Sequence, residues 1–200
     1  MTSEVSIRTA DATEGAAVAQ VIATSFHDLD VSRWLVPDSA ERAKVFPSYF
    51  RIVVDLALEH GTVLVAPDYS GAVVNLTVPG PDPEDYDERL AEACGPWVDR
   101  MQTLDEAMHQ AHPTGRAAHD YCALFGVMPD YQNKGLGSSL LKAWCDAMDE
   151  SGTPAYLEAS NSNSRRFYER VGFVDCAEPL ALPYEGERMY PMWRDAAPKS

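Results

Sequence analysis

The residues best equipped for chemistry are gathered in Gln132–Asn133–Lys134–Gly135–Leu136–Gly137–Ser138. A short apolar run, Leu124–Val127, leads into this stretch and Pro129 breaks it. Beyond the glycines, Leu136, Leu140, Leu141, Trp144 and Met148 recur at the three-to-four-residue spacing of a helix with one buried face. A strand that feeds a glycine turn opening a helix makes an anion site, because the first backbone N–H groups of a helix have no partner of their own. Gly135 and Gly137 let the chain press those groups against a phosphate where a Cβ would intrude. Lys134 adds a cation. The competing description is an ordinary β–α turn, which a lone Gly-x-Gly would favour. The full Gln-x-x-Gly-x-Gly between a strand and a helix favours the phosphate cradle.

The elements that must position this turn can be taken in chain order. Val5–Thr9 alternates as a first strand, and Asp11 caps a helix whose apolar face is Ala17, Val18, Val21, Ile22 and Phe26. Residues 26–37 form a loop or short turn rich in aromatic and charged groups. Pro37-Asp38 starts a second helix, kinked near Pro47, that runs through Tyr49, Phe50 and Val53 to a stop at Gly61. Thr62–Ala66 and Ala72–Val78 are joined through Pro67-Asp68-Tyr69-Ser70-Gly71, a hairpin signal. An acidic helical region follows from about Glu84 to His112, interrupted at Gly95-Pro96. His109 and His112 stand three apart but find no third ligand, so no metal is expected. Asp120–Val127 is the strand before the turn, and Ser151-Gly152 stops the helix after it. Ala155–Ser160 is the next strand, and Asn161 or Ser162 caps a short helix carrying Phe167 and Tyr168. Phe173–Asp175 and Arg188–Trp193 close the sheet, with Pro191 suiting an edge. Residues 1–195 read as one domain, and 196–200 as a disordered tail.

Sixteen basic against thirty-one acidic side chains give a formal charge of −15, which argues against nucleic acid and anionic membrane as partners. It suits a cationic acceptor such as an amine, although acidity more often serves solubility. Apolar content of 46% is ordinary for a globular chain. Cys94, Cys122, Cys145 and Cys176 lie far apart without a C-x-x-C pair and read as reduced thiols. No apolar run approaches a membrane span and the first residues hold no apolar leader, so a cytoplasmic location is expected.

Val127, Pro129, Tyr131 and Gln132–Gly137 resemble the acyl-CoA pyrophosphate loop of the GCN5-related N-acetyltransferases. Leu157–Glu158–Ala159–Ser160–Asn161 and Phe167–Tyr168–Glu169–Arg170–Val171–Gly172–Phe173 follow in the order that family shows. Among its branches the resemblance is nearest to puromycin N-acetyltransferase-like members. The resemblance implies an α/β fold: a mixed, mostly antiparallel, twisted sheet of about seven strands, flanked by helices and splayed at the strands that bind acyl-CoA. It implies acetyl-CoA as donor and direct transfer, in a ternary complex, to a small-molecule amine such as an antibiotic or amine metabolite. A protein N-terminal or lysine acetyltransferase is the alternative, and a non-catalytic acyl-CoA-binding module a third. A monomer or homodimer is expected.

By the same resemblance, backbone groups of Gln132, Asn133, Lys134, Gly135, Leu136, Gly137 and Ser138 receive the pyrophosphate. Phe125 and Val127 lie beside the pantetheine, and the Val127 N–H polarises the acetyl carbonyl. Asn161 contacts the coenzyme, with Asn163 as the fallback. Tyr168 is the expected general acid, its phenol near pKa 10 being close enough to a thiol near 8.5 for proton transfer. Many relatives carry a glutamate base six residues before the valine, where this chain has Tyr121. Glu158 on the adjoining strand is therefore the expected base. Trp34, Tyr49, Phe50 and Tyr121 are the candidates for the acceptor pocket.

Overall fold

The structure is a computed structural model describing residues 5–198. Its strands are β1 (Arg8–Thr9), β2 (Gly61–Val65), β3 (Gly71–Val78), β4 (His119–Val127), β5 (Ala155–Ala159), β6 (Val174–Asp175) and β7 (Tyr190–Arg194). Its helices are α1 (Gly15–Phe26), α2 (Asp30–Leu35), α3 (Ser39–His60), α4 (Tyr86–Cys94), α5 (Val98–Ala111), α6 (Leu136–Ser151) and α7 (Ser162–Glu169). The seven strands form one sheet in the order β1-β2-β3-β4-β5-β7-β6, with every neighbouring pair antiparallel except β4 and β5.

Successive side chains on a strand face opposite ways, and β3 shows the consequence for the core. Val74 joins one apolar layer with Ile22, Phe46 and Phe50, under α1 and α3, while Val73 joins another with Leu140, Leu141, Trp144 and Phe173, under α6. The apolar stripe of α6 is what fastens the glycine turn to the sheet. Gly152, at φ +74°, ends that helix in the left-handed conformation that suits a glycine.

Several sequence expectations hold with small changes of boundary. The hairpin of β2 and β3 forms, Asp38 caps α3 by accepting from the Glu41 N–H at 2.8 Å, and the acidic region divides into α4 and α5 at Gly95. Others need correction. The first strand is only Arg8–Thr9, and the segment 26–37 contains the helix α2. Asp11 does not cap α1. Its carboxylate accepts from Thr13, and Glu14 precedes the helix with its own carboxylate held by Arg8, by the Asp11 N–H and by Tyr69. Pro191 lies in β7, an inner strand. Its carbonyl accepts from the Cys176 N–H at 3.0 Å on the β6 side, so the N–H it lacks also faces that side, just beyond the end of two-residue β6. The ladder to β5 loses nothing.

Residues 195–198 have no regular structure, but the Ala197 N–H donates to Asp149 Oδ1 at 2.7 Å. The expected disorder at 199–200 lies outside the described residues. Cys94, Cys122 and Cys145 are buried free thiols and Cys176 is half-buried. Among the described residues no helix is long and apolar enough to cross a membrane.

Candidate active site

The site is built where β4 leaves β5. The two pair in parallel over Asp120–Cys122 and Ala155–Leu157, and no further. At that point β4 carries a bulge: its register on β3 steps from Asn75–Cys122 to Val74–Leu124, leaving Ala123 over. A bulge bends the strand that holds the extra residue. Past it, β4 stays on β3 alone. The Met128 N–H bonds Ser70 O at 2.9 Å, so alternation along an antiparallel ladder makes Gly126 the next residue bonded to β3. Phe125 and Val127 therefore turn their N–H and C=O groups away from β3, into the gap that β5 has left. The Val127 carbonyl accepts from Gln132 Nε2 at 3.0 Å, which ties the turn to the end of the strand.

The turn runs along the head of this gap. Asn133, at φ +58°, and Gly135, at φ +86°, are both left-handed, and the N–H groups of residues 133–138 have no hydrogen-bond partner among the described residues. Gly135 is required by its φ, since nothing stands near its missing Cβ. That reason differs from the sequence expectation, whereas Gly137 keeps it. A Cβ there would meet Phe167 Cζ and Val127 Cγ2 at 3.6 Å each, ordinary contact distances. The chain itself thus tolerates a Cβ, but the Cβ would fill the cradle between turn, strand and α7. The Lys134 ammonium donates to Asp130 O at 2.7 Å and remains exposed, and Leu136 is buried, so it offers the site its backbone. Asn161 Oδ1 is committed to capping α7 through the Ser164 N–H at 2.8 Å, leaving its amide nitrogen toward Ser160 at 3.5 Å.

Below the gap lies a mostly apolar cavity of about 200 Å³, walled by α1–α5 and the sheet. Tyr49, Phe50, Tyr121, Phe125, Glu158 and Tyr168 all line it. The Tyr168 ring sits between Phe125 and Phe173, at centroid distances of 6.0 and 5.8 Å, and Phe173 stacks on Trp144. Its hydroxyl has no partner among the described residues. Burial pushes that phenol well above its usual pKa, which keeps it protonated. Burial also raises Glu158, to about 7, against the opposing hydrogen bond from Tyr121 Oη to Oε2 at 2.8 Å. Glu158 Oε1 is buried without a partner. A protonated phenol and a carboxyl that titrates near neutrality, in one cavity, suit an acid and a base.

The cavity opens past Tyr86, Asp105, Met108 and Tyr121 into a basin of about 630 Å³, whose rim carries Asp82, Asp85, Asp87 and Glu88. Among the described residues no lysine or arginine lines it. Asp105 accepts from Tyr86 Oη at 2.6 Å, and burial raises its pKa. The sequence pointed to acidic helices here but not to their convergence on one opening.

Of the sequence candidates, Tyr49, Phe50 and Tyr121 meet in the cavity and Trp34 does not. Trp34 stacks on Tyr184 at 5.7 Å, and its carbonyl accepts from Arg100. Asp105, Tyr86 and Ser160 were missed. The pair of Tyr86 and Asp105 stands on different helices, and no local spacing joins them. His112 and His119 also meet, Nε2 to Nε2 at 3.0 Å, whereas the sequence had paired His112 with His109.

Residues 79–173 match the acetyltransferase (GNAT) family. A mycothiol acetyltransferase of Clavibacter sepedonicus is 35% identical over 46% of this chain and 33% of its own length, so the chain spans about a third of that relative. A solved arylalkylamine N-acetyltransferase 2 of Aedes aegypti superposes with a TM-score of 0.66 at 13% identity, over 98% of this chain and 100% of that one. A solved Corynebacterium glutamicum protein, described as histone acetyltransferase HPA2 and related acetyltransferase, gives a TM-score of 0.63 at 21% identity over 99% of each chain. These structures show a shared fold. The splayed strand, the glycine turn, Glu158 and Tyr168 all fall within the stretch, 79–173, that carries the match to the acetyltransferase (GNAT) family.

Proposed function

We propose that the protein transfers an acetyl group from acetyl-CoA to the amine of a small molecule, with both substrates bound together. One observation carries the reading: β4 parts from β5 with the backbone of Phe125 and Val127 turned into the opening, between a cradle of unpaired N–H groups and a mostly apolar cavity. An extended amide chain fits the opening as a strand would. The N–H groups of residues 133–138, with the positive end of α6, suit a pyrophosphate. Acetyl-CoA supplies the activated thioester.

The chain's own residues hold, polarise and move protons. Gln132 through Ser138 and the Asn161 amide hold the donor. The Val127 N–H, turned away from β3 into the opening, polarises the thioester carbonyl. Glu158 takes a proton from the attacking amine, and Tyr168, kept protonated by burial, gives its proton to the departing sulfur. Tyr49, Phe50 and Tyr121 surround the acceptor. The basin of carboxylates suits an acceptor that arrives as a cation.

A small acceptor is supported by the small volume of the cavity, about 200 Å³, and by the small molecules in the names of the mycothiol and arylalkylamine acetyltransferases. Amine antibiotics, as the resemblance to puromycin N-acetyltransferase-like members suggests, and amine metabolites are the acceptors to test first. The test is acetyl-CoA consumption against a panel of antibiotics, arylalkylamines, polyamines, amino acids and peptides. Turnover with small amines is expected; turnover with peptides alone would replace this reading by protein acetylation.

A further inference from the structure

The hydrogen bond from Tyr121 Oη to Glu158 Oε2 lies at the vertex where the strands part. Tyr121 stands opposite Tyr156 in the last but one pair of the parallel ladder, and Glu158 is the first residue of β5 beyond that ladder. The bond occupies one carboxylate oxygen. The other, Oε1, is buried with no hydrogen-bond partner among the described residues. We propose that Tyr121 is a positioning residue for Glu158, holding Oε2 as an acceptor so that Oε1 is the atom that takes the proton of the acceptor amine. The inference rests on the acetyl-transfer reading.

A phenol has one proton to give, and here it is spent on Oε2. That bond already takes one lone pair of Oε2, whereas Oε1 has both of its own open to an arriving proton. The amine N–H breaks as Oε1–H forms, and Tyr121 keeps its own proton throughout. Burial, followed by the Glu158 charge, pushes the Tyr121 phenol far above its ordinary pKa, so it serves as a donor in both states of the carboxyl. The ring is held in place by an edge contact with His112 at 5.1 Å and a tilted one with Tyr156 at 5.5 Å.

Other titratable groups face this carboxyl. Cys122 of β4, Tyr156 of β5 and Cys176 couple to it, and burial raises all three, so they are uncharged near neutrality. Across the cavity stand Tyr168 of α7, Tyr49 of α3, and the hydrogen-bonded pair of Tyr86 and Asp105. His112, behind Tyr121, is lowered to about 4 by burial and by His119. Asp105, whose carboxyl burial pushes up, is a second acidic group rather than a cation. Stabilisation of the ionised Glu158 therefore comes from hydroxyls, the Tyr121 one first and the Tyr156 one after it, and from its own backbone, not from a positive neighbour.

Tyr121→Phe removes the donor and keeps the ring. The ionised carboxylate loses its hydrogen bond, so the ascending limb of kcat/KM against pH should move up by about one unit. Turnover at neutral pH should fall about tenfold, with KM for acetyl-CoA changed less than twofold. Carbon NMR titration of labelled glutamate, with the Glu158 resonance assigned by its loss in Glu158→Gln, should show the same upward shift without any turnover. Should Tyr121→Phe fail to fold, 3-fluorotyrosine at position 121 strengthens the donor and should move both titrations down. A limb and a carboxyl titration that stay at their wild-type pH in a folded variant overturn the proposal. A Glu158→Gln variant with a wild-type pH profile would instead sink the assignment of the base, which the NMR titration of the Tyr121 effect distinguishes.

Discussion

The Trp144 indole donates to Asp120 Oδ2 at 2.6 Å, joining the middle of α6 to the start of β4. The helix that carries the N–H cradle is thereby tied to the strand that opens toward the cavity. Both partners are buried, and that has a cost. Burial lifts the Asp120 carboxyl to about 6, with the Trp144 hydrogen bond pulling the other way.

A pH dependence of stability follows from that shift. An aspartate in the unfolded chain titrates near 3.9, so between about 4 and 6 the folded protein binds this proton and the unfolded chain does not. The contribution of Asp120 is most favourable below that window and is lost as pH rises through 6, at a cost of about 3 kcal/mol by neutral pH. Asp120→Asn keeps an oxygen for the indole and removes the charge. Its Tm should exceed that of the parent at pH 7, and the difference should shrink as pH falls to 4. Calorimetric melting across that range checks it, and a variant less stable at pH 7 would reverse the argument.

Gly137 tests the cradle. Gly137→Val places branched carbon in the space bounded by Phe167 and Val127, which the folded chain tolerates more readily than a ligand would. Titration calorimetry should show acetyl-CoA affinity reduced at least tenfold, with a melting curve close to that of the parent. Unchanged affinity in a folded variant would remove the turn from the site.

For Tyr168, the ring contacts with Phe125 and Phe173 survive replacement by phenylalanine and the proton does not. Tyr168→Phe should lower kcat by roughly one to three decades while leaving acetyl-CoA affinity nearly unchanged. Wild-type turnover would mean that the sulfur leaves without this acid.

The acidic basin makes a salt prediction. Interactions among exposed charges are screened over roughly 8–10 Å at physiological salt. Raising ionic strength should therefore reduce kcat/KM for an acceptor that is a cation in solution. The combined change Asp85→Asn, Asp87→Asn and Glu88→Gln should flatten that dependence. Steady-state kinetics from low to moderate salt decide it, and a flat response in the parent would assign the acidity to solubility alone.

Much of this was legible in the chain because its signals act between near neighbours. The stripe of Leu136, Leu140, Leu141 and Trp144, the cap at Asp38, the stop at Gly152 and the glycine turn each depend on residues within a turn or two. The sequence by itself thus determined the helix, the turn before it and the alternation that makes β2 and β3 a hairpin. Tertiary structure decided the rest. Tyr121 and Glu158 are thirty-seven residues apart, and only the parallel pairing of β4 with β5 turns one hydroxyl onto one carboxylate oxygen. The same holds for Tyr86 and Asp105, and for Trp34, whose aromatic character suited the cavity but whose helix faces Tyr184. Pro191 looked like an edge residue because its missing N–H is a local property. Which side of β7 that N–H would face, and how short β6 is there, are properties of the assembled sheet. Burial sets the protonation of Glu158 and Tyr168, and burial arises only when distant segments exclude water together.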